Sequence, residues 1–199
     1  ASVGAYNSMT IDMIISVFIL LFSINFAMYF LLLTRRFKDV LKSDELRFFL
    51  AVVFIATFIV CINIRHLYPD WVQTFRYAFF QVCSLISTTG YATADWLYWP
   101  QICQMIFILL MFCGACAGST GGGLKVSRAV MLVKMVHKEI RHLLHPRSVN
   151  SVKIEGKQVD GATLKSVSSY FAVYILCMVV IYLLLSLDAF GMETNLSAT

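Results

Sequence analysis

Ser87-Thr88-Thr89-Gly90-Tyr91 is a run of residues whose backbone oxygens could hold a bare cation. A dehydrated ion inside a membrane needs a ring of oxygens, and carbonyls supply them without the full charge that would trap it. Successive carbonyls can face one way only if the backbone leaves ordinary φ/ψ space, which Gly90 permits. Thr88, Thr89, Gly90 and Tyr91 are therefore the candidate filter, with the Tyr91 ring expected to pack behind it. Taken alone, the run could equally be an interfacial turn. Its meaning depends on its flanks.

The second candidate is Gly114-Ala115-Cys116-Ala117-Gly118-Ser119-Thr120-Gly121-Gly122-Gly123-Leu124-Lys125. Gly118 and Gly123 have the spacing of a phosphate-binding loop, but Leu124 displaces the lysine and an apolar helix precedes the loop instead of a strand. Gly114 and Gly118 fit a helix-packing motif, which leaves Ser119, Thr120 and three consecutive glycines unexplained. The third reading is an unwound intramembrane loop. Irregular backbone at that depth must line a cavity or lie buried in protein. A loop of small residues below a filter could block or clear a pore at low steric cost. Gly114, Gly118, Ser119, Thr120, Gly121, Gly122, Gly123 and Lys125 are the candidate gate.

Two other groups invite chemistry. Cys113 and Cys116 form a C-x-x-C, but no second ligand pair or strand–helix context accompanies them. All six cysteines lie in apolar segments and are expected to act as small buried hydrophobes. His137, His142 and His145 share a helix with Lys138 and Arg141, whose charge opposes a bound cation. A redox or nucleotide-using enzyme rests only on these incomplete motifs. The chain is read as no enzyme, with no cofactor of its own.

The elements must position the filter inside a membrane. Hydrophobic residues make up 59% of the 199 and charged residues 14%; a soluble domain carries about 25% charged. The start lacks the basic region and cleavage site of a secretory signal. It also lacks an initiator Met, which suggests a piece of a longer chain. The net charge of +5 is confined to loops beside apolar spans, so nucleic-acid binding is excluded in favour of cytoplasmic basic loops.

Ile11–Leu33 is an apolar run long enough to cross the bilayer. Arg35, Arg36, Lys38, Lys42 and Arg47 follow and predict a cytoplasmic loop. Leu46–Ile64 returns outward. Trp71–Ser87 carries Gln73, Thr74, Arg76, Gln81 and Ser84, too polar to face lipid, and reads as a re-entrant helix. Were it to cross, the basic residues from Lys125 to Lys157 would all fall outside, against the positive-inside rule. Re-entrance restores them and puts Trp96, Tyr98 and Trp99 at the outer interface. A span starting near Pro100, a first-turn proline, runs to Ala117, and helix resumes from Leu124 to Leu144. Unbroken to His145 it would be about 69 Å long, so the glycine cluster must interrupt it. Val152–Ile154 and Lys157–Val159 predict a cytoplasmic hairpin, and Leu164–Leu187 a last span.

Three stretches resemble a known family: Ser-Thr-Thr-Gly-Tyr-Ala-Thr-Ala-Asp at 87–95, Cys-Ala-Gly-Ser-Thr-Gly-Gly-Gly-Leu-Lys at 116–125, and His-Pro-Arg-Ser-Val-Asn-Ser-Val-Lys at 145–153. They are similar to the Trk/Ktr/HKT superfamily of potassium transporters, and the Cys-Ala-Gly form resembles its bacterial TrkH/TrkG branch. The resemblance implies an all-α integral membrane protein built of helix–re-entrant pore helix–helix repeats around a pseudo-fourfold, channel-like pore, here only in part. It implies that 1–34 holds the closing helix of a second repeat and 35–45 a basic cytoplasmic loop. It makes 46–145 a complete third repeat, 146–163 a cytoplasmic hairpin, and 164–199 the opening helix of a fourth with the start of its pore helix. Thr88, Thr89, Gly90 and Tyr91 would be the third filter segment, and the loop around Gly114–Gly123 the family's gate.

The family's basic residue on the fourth closing helix has no counterpart here. Potassium is the implied substrate, crossing the bacterial inner membrane by channel-like flow or by symport. The implied partners are the remaining repeats, a second copy in a homodimer, and a cytosolic nucleotide-binding regulatory subunit of the TrkA type. The basic helix and the hairpin are candidate contacts for that subunit. The alternative is a non-conducting structural piece, since one filter segment cannot close a ring.

Overall fold

The computed structural model describes residues 2–145, 153–154 and 157–187. The chain divides into two compact units after Val130. The first holds α1 (Met9–Phe22), α2 (Phe26–Leu33), α3 (Phe37–Lys42), α4 (Asp44–Ile64), α5 (Trp71–Ile86), α6 (Gln101–Cys113) and the start of α7 (Val126–Leu144).

α4 begins where Ser43 caps it, its Oγ accepting from the Leu46 N–H, with Asp44 and Glu45 in the first turn opposite the positive end of the helix dipole. With the 3-10 turn after it, α4 spans Asp44–Leu67 at a mean hydropathy of 2.4, long and apolar enough to cross a membrane. α5 lies inside the unit and packs on α1, α4 and α6. Ala78 and Phe80 to Ile86 are all buried. Of the polar residues that looked wrong for a lipid-facing helix, Thr74, Arg76, Gln81 and Ser84 are buried against protein, while Gln73 is exposed in the first turn with Trp71 and Val72.

The re-entrant reading of α5 has a direct geometric support. Tyr68, just before α5, and Trp99, just after the filter, touch: Trp99 Nε1 donates to Tyr68 Oη at 3.3 Å, and the rings meet edge to face. α5 has 16 residues and is about 24 Å long. A chain that crossed the membrane on α5 could not bring these two residues together. It enters and leaves at one end, with the filter at the other.

Several expected boundaries change. Ile11–Leu33 is not one continuous helix: it breaks after Phe22, and α1 and α2 meet at 90°. Asn25, a polar residue inside the apolar run, caps α2, its Oδ1 accepting from the Ala27 N–H at 2.9 Å. α6 stops at Cys113, four residues before the expected Ala117, and α7 resumes at Val126. Pro100 is the residue before α6 and not its first turn; its extended ψ of 143° lies outside the helix. Trp99, expected at the interface, is buried with Tyr68 and Phe107, and only Tyr98 of the aromatic trio stands well out at 84% exposure. Of the cysteines, Cys61, Cys83, Cys103 and Cys116 are buried as expected, Cys113 is half-buried and Cys177 is exposed; all six are free thiols.

The second unit contains the rest of α7, a two-stranded ladder and α8 (Gly161–Leu185). The expected hairpin is present: β1 (Lys153–Ile154) pairs antiparallel with β2 (Lys157–Gln158), Lys153 opposite Gln158 and Ile154 opposite Lys157. It is the one departure from an all-helical chain among the described residues. α8 starts three residues before the expected Leu164 and has a mean hydropathy of 2.3, also sufficient to cross. Val152, Glu155, Gly156 and the expected second pore-helix start at Glu193 lie outside the described residues.

Candidate functional site

The filter candidate hangs from the C-terminal end of α5, the negative end of its dipole. The N–H of Thr88 donates to the Leu85 carbonyl at 3.1 Å, and the N–H groups of Thr89 and Gly90 donate to Ser84 at 2.9 and 3.4 Å. Every peptide bond among the described residues is trans. In a trans peptide the carbonyl of one residue points opposite to the next N–H. The Ser87, Thr88 and Thr89 carbonyls therefore point away from α5. Left-handed backbone at Thr88 (φ 56°) and Gly90 (φ 76°) makes this geometry possible. Thr88 to Tyr91 are exposed, in contrast to the buried helix that carries them.

Side chains brace the turn. Ser87 Oγ donates to the Ser84 carbonyl and shares a 2.7 Å hydrogen bond with Thr89 Oγ1. Ser84 Oγ donates to the Tyr91 carbonyl at 2.6 Å, so that carbonyl is turned back toward α5. The Tyr91 ring is 46% exposed, and the expectation of a ring packed behind the turn is not met by residues of this chain.

The glycine loop meets the filter from the other side. The Gly122 N–H donates to Thr88 Oγ1 at 2.7 Å. A Cβ on Gly121 would fall 2.6 Å from Ala115 Cβ and 3.1 Å from the Ser87 carbonyl oxygen; one on Gly122 would fall 2.9 Å from Thr88 Oγ1. Contact this close requires residues without side chains. The loop's ends are pinched together: Gly114, at φ 70°, has room for a Cβ only 2.5 Å from the Gly122 carbonyl oxygen, and Leu124 N–H donates to Phe112. Lys125 Nζ donates to the Gly121 carbonyl, which tethers a cation to the segment touching the filter.

Gly118 and Ser119 do not face the filter. Gly118 lies on the break between α1 and α2, and Ser119 bonds back to the Cys116 carbonyl within the loop. Cys116 N–H donates to the Ser23 carbonyl, Thr120 N–H and Oγ1 to the Phe22 carbonyl, and the Phe26 N–H to the Gly118 carbonyl. Helix ends leave carbonyls and N–H groups without intrahelical partners. Here the loose groups of one broken helix are satisfied by those of another. Thr89 of the filter and Thr120 of the loop also line one open cavity of about 610 Å³, walled by Ile14, Phe18 and Phe22 of α1.

The sequence reading counted Arg76 only as polarity and passed over Asp12 and their pairing. Asp12 of α1 and Arg76 of α5 form an ion pair at 2.7 Å, their side chains 1% and 9% exposed. The signal existed: a lone acid in one apolar run and a lone base in the re-entrant segment, each too costly in a membrane without a partner. Glu45 also reaches the site, its Oε1 accepting from the Ala117 N–H at 2.6 Å. Nothing in its sequence context marks it.

A helix that enters and leaves at one end, carries a carbonyl turn at its tip and rests on a broken neighbouring helix, beside helices apolar enough to cross a bilayer, is the architecture of an integral membrane protein. The chain belongs to the TrkH family of cation transport proteins, which matches residues 1–196. The Trk system potassium uptake protein TrkH of Escherichia coli K12 is 35% identical over 183 residues, 90% of this chain and 38% of that protein. TrkG of the same organism is 33% identical over 187 residues, 93% of this chain and 39% of its own length. The crystal structure of the potassium transporter TrkH from Vibrio parahaemolyticus superposes with a TM-score of 0.90 at 30% identity, over all of this chain and 43% of that one. The chain thus spans about two fifths of the length of the relatives it matches.

Proposed function

We propose that this chain supplies one wall of a potassium uptake pathway in a bacterial inner membrane. In this reading the Ser87, Thr88 and Thr89 carbonyls line the ion path, Gly90 supplies the left-handed turn that holds them so, and the loop around Gly114–Lys125 gates it. The observation that carries the proposal is the turn of three successive carbonyls away from the α5 end, with the glycine loop bonded to Thr88 directly beside it. The names of the relatives support potassium as the substrate. Residues 46–145 act as one helix–pore helix–broken helix repeat, 1–34 close the repeat before it, and 164–199 open the next.

One carbonyl turn gives only part of a coordination ring, so the pathway is completed by further repeats. The assembly is a homodimer, docked on a cytosolic nucleotide-binding subunit of the TrkA type. The basic face of α7 and the hairpin are the contacts proposed for that subunit. The chain performs transport and no enzymatic step.

The test is thallium or potassium flux into proteoliposomes carrying the complete transporter, with and without Gly90→Ser. No atom lies within 4 Å of a Cβ at Gly90, so the serine fits, but its φ of 76° is strained for any side chain. The cost of holding a residue there is about 1–2 kcal/mol, enough to distort the turn without unfolding α5. The expected result is flux that persists while the preference for potassium over sodium falls. An unchanged ion preference would remove Gly90 from the filter.

A further inference from the structure

Most anchors of the glycine loop are backbone groups of the α1–α2 break or of its own flanks. Glu45 is different. It belongs to the first turn of α4, 72 residues from Ala117, and its Oε1 takes the Ala117 N–H at 2.6 Å. A carboxylate bonded to a backbone N–H is among the short, strong hydrogen bonds. α4 does not need this carboxylate at its own start, because Ser43 caps it and Asp44 already sits in the first turn. The Glu45 side chain instead leaves its helix for the loop. The residue next to its partner, Cys116, is 1% exposed, so this part of the loop is sealed while the bond is made. Glu45 also stands at the joint where α3 packs on α4 and the backbone turns extended at Ser43. A displacement of that joint moves the carboxylate directly.

We infer that Glu45 is a positioning residue for the gate: its carboxylate latches Ala117 and so keeps Gly121 and Gly122 seated against Ser87 and Thr88. The inference rests on the gate reading of the loop. With the latch open, the loop loses its one described hydrogen bond to α4, and only the bonds to the α1–α2 break and the single Gly122–Thr88 bond remain to hold it against the turn.

The test uses the complete transporter in proteoliposomes, with Glu45→Ala and Glu45→Gln compared. Two quantities are read: resting thallium flux, and the rate at which a small charged thiosulfonate modifies Cys116, followed by mass spectrometry of its peptide. Glu45→Ala is expected to raise both by about tenfold or more, the scale of one hydrogen bond to a charged group. Glu45→Gln keeps a neutral acceptor at the same reach, so both quantities should rise several-fold less than in Glu45→Ala. Cys116 modification that is no faster in Glu45→Ala overturns the latch. So does an equal rise in Glu45→Gln, which would assign the effect to charge and not to the bond. Faster Cys116 modification with unchanged flux upholds the latch and overturns the gate.

Discussion

Thr88 is the residue at which filter and loop become one structure. A β-branched side chain at φ 56° is a backbone outlier, and such conformations cost roughly 1–3 kcal/mol. The strain persists because Thr88 is held from both ends: its N–H by Leu85, its hydroxyl by Gly122. Thr88→Val keeps the shape and deletes the acceptor, leaving the Gly122 N–H without its partner, a loss of about 1–3 kcal/mol at the filter–loop contact. Resting flux should rise and ion preference should shift together in reconstituted transporter. Thr88→Ser keeps the hydroxyl, eases the strain and should behave as the parent. A valine variant that changes neither readout would show that the contact carries nothing. That the chain leaves regular helix at 87–91 and at 114–125 was legible from the glycines and threonines in these runs. Which glycine meets which filter residue was not, because residue type says nothing about facing. Glu45 was invisible for the same reason: one acid in a helix's first turn looks like an answer to the helix dipole, whatever it reaches.

α5 is held to α1 by the buried pair of Asp12 and Arg76. Asp12 Oδ1 has no hydrogen-bond partner among the described residues, so Arg76 is the main compensation for the carboxylate. Removing one member of such a pair strands a buried charge and costs about 3–5 kcal/mol, whereas replacing both with apolar residues of similar size is often close to neutral. Asp12→Leu should therefore lower the thermal midpoint of detergent-solubilised transporter sharply, and Asp12→Leu with Arg76→Met should recover most of it. A double variant as unstable as the single one would mean that the pair does more than neutralise itself. The break between α1 and α2 was not legible. Ser23-Ile24-Asn25 contains neither glycine nor proline, and apolar residues continue on both sides. The only signal was an asparagine able to cap, and its effect depends on a loop 90 residues away that satisfies the opened backbone. The break in α6–α7 was legible because its glycines lie in one run and an unbroken helix would have outgrown the membrane. Its early stop at Cys113 was not, since Gly114 ends the helix through a contact with Gly122 that only the folded loop creates.

The two ends of α5 and the lengths of its neighbours limit how the helices of the first unit can sit in a membrane. From the end where Tyr68 meets Trp99, α5 runs about 24 Å and the 13-residue α6 about 20 Å before each stops. Both stop short of an apolar core about 30 Å thick, and the filter and the loop meet where they end. Charge placement in the sequence already implied this, since only a re-entrant α5 keeps Lys125 and the basic residues after it inside. The structure reaches the same result through an aromatic contact that owes nothing to charge. Single cysteines at Lys38, Asp70 and Asp95, in a Cys177→Ser background and labelled with an impermeant maleimide on intact cells, test it. Asp70 and Asp95 flank α5, so both positions should label from outside, while Lys38 should label only after permeabilisation. If the 95 position instead grouped with 38, α5 would cross the bilayer. Thr88 to Gly90 would then lie at a surface, and a carbonyl turn in full contact with water could not select among ions by replacing their hydration.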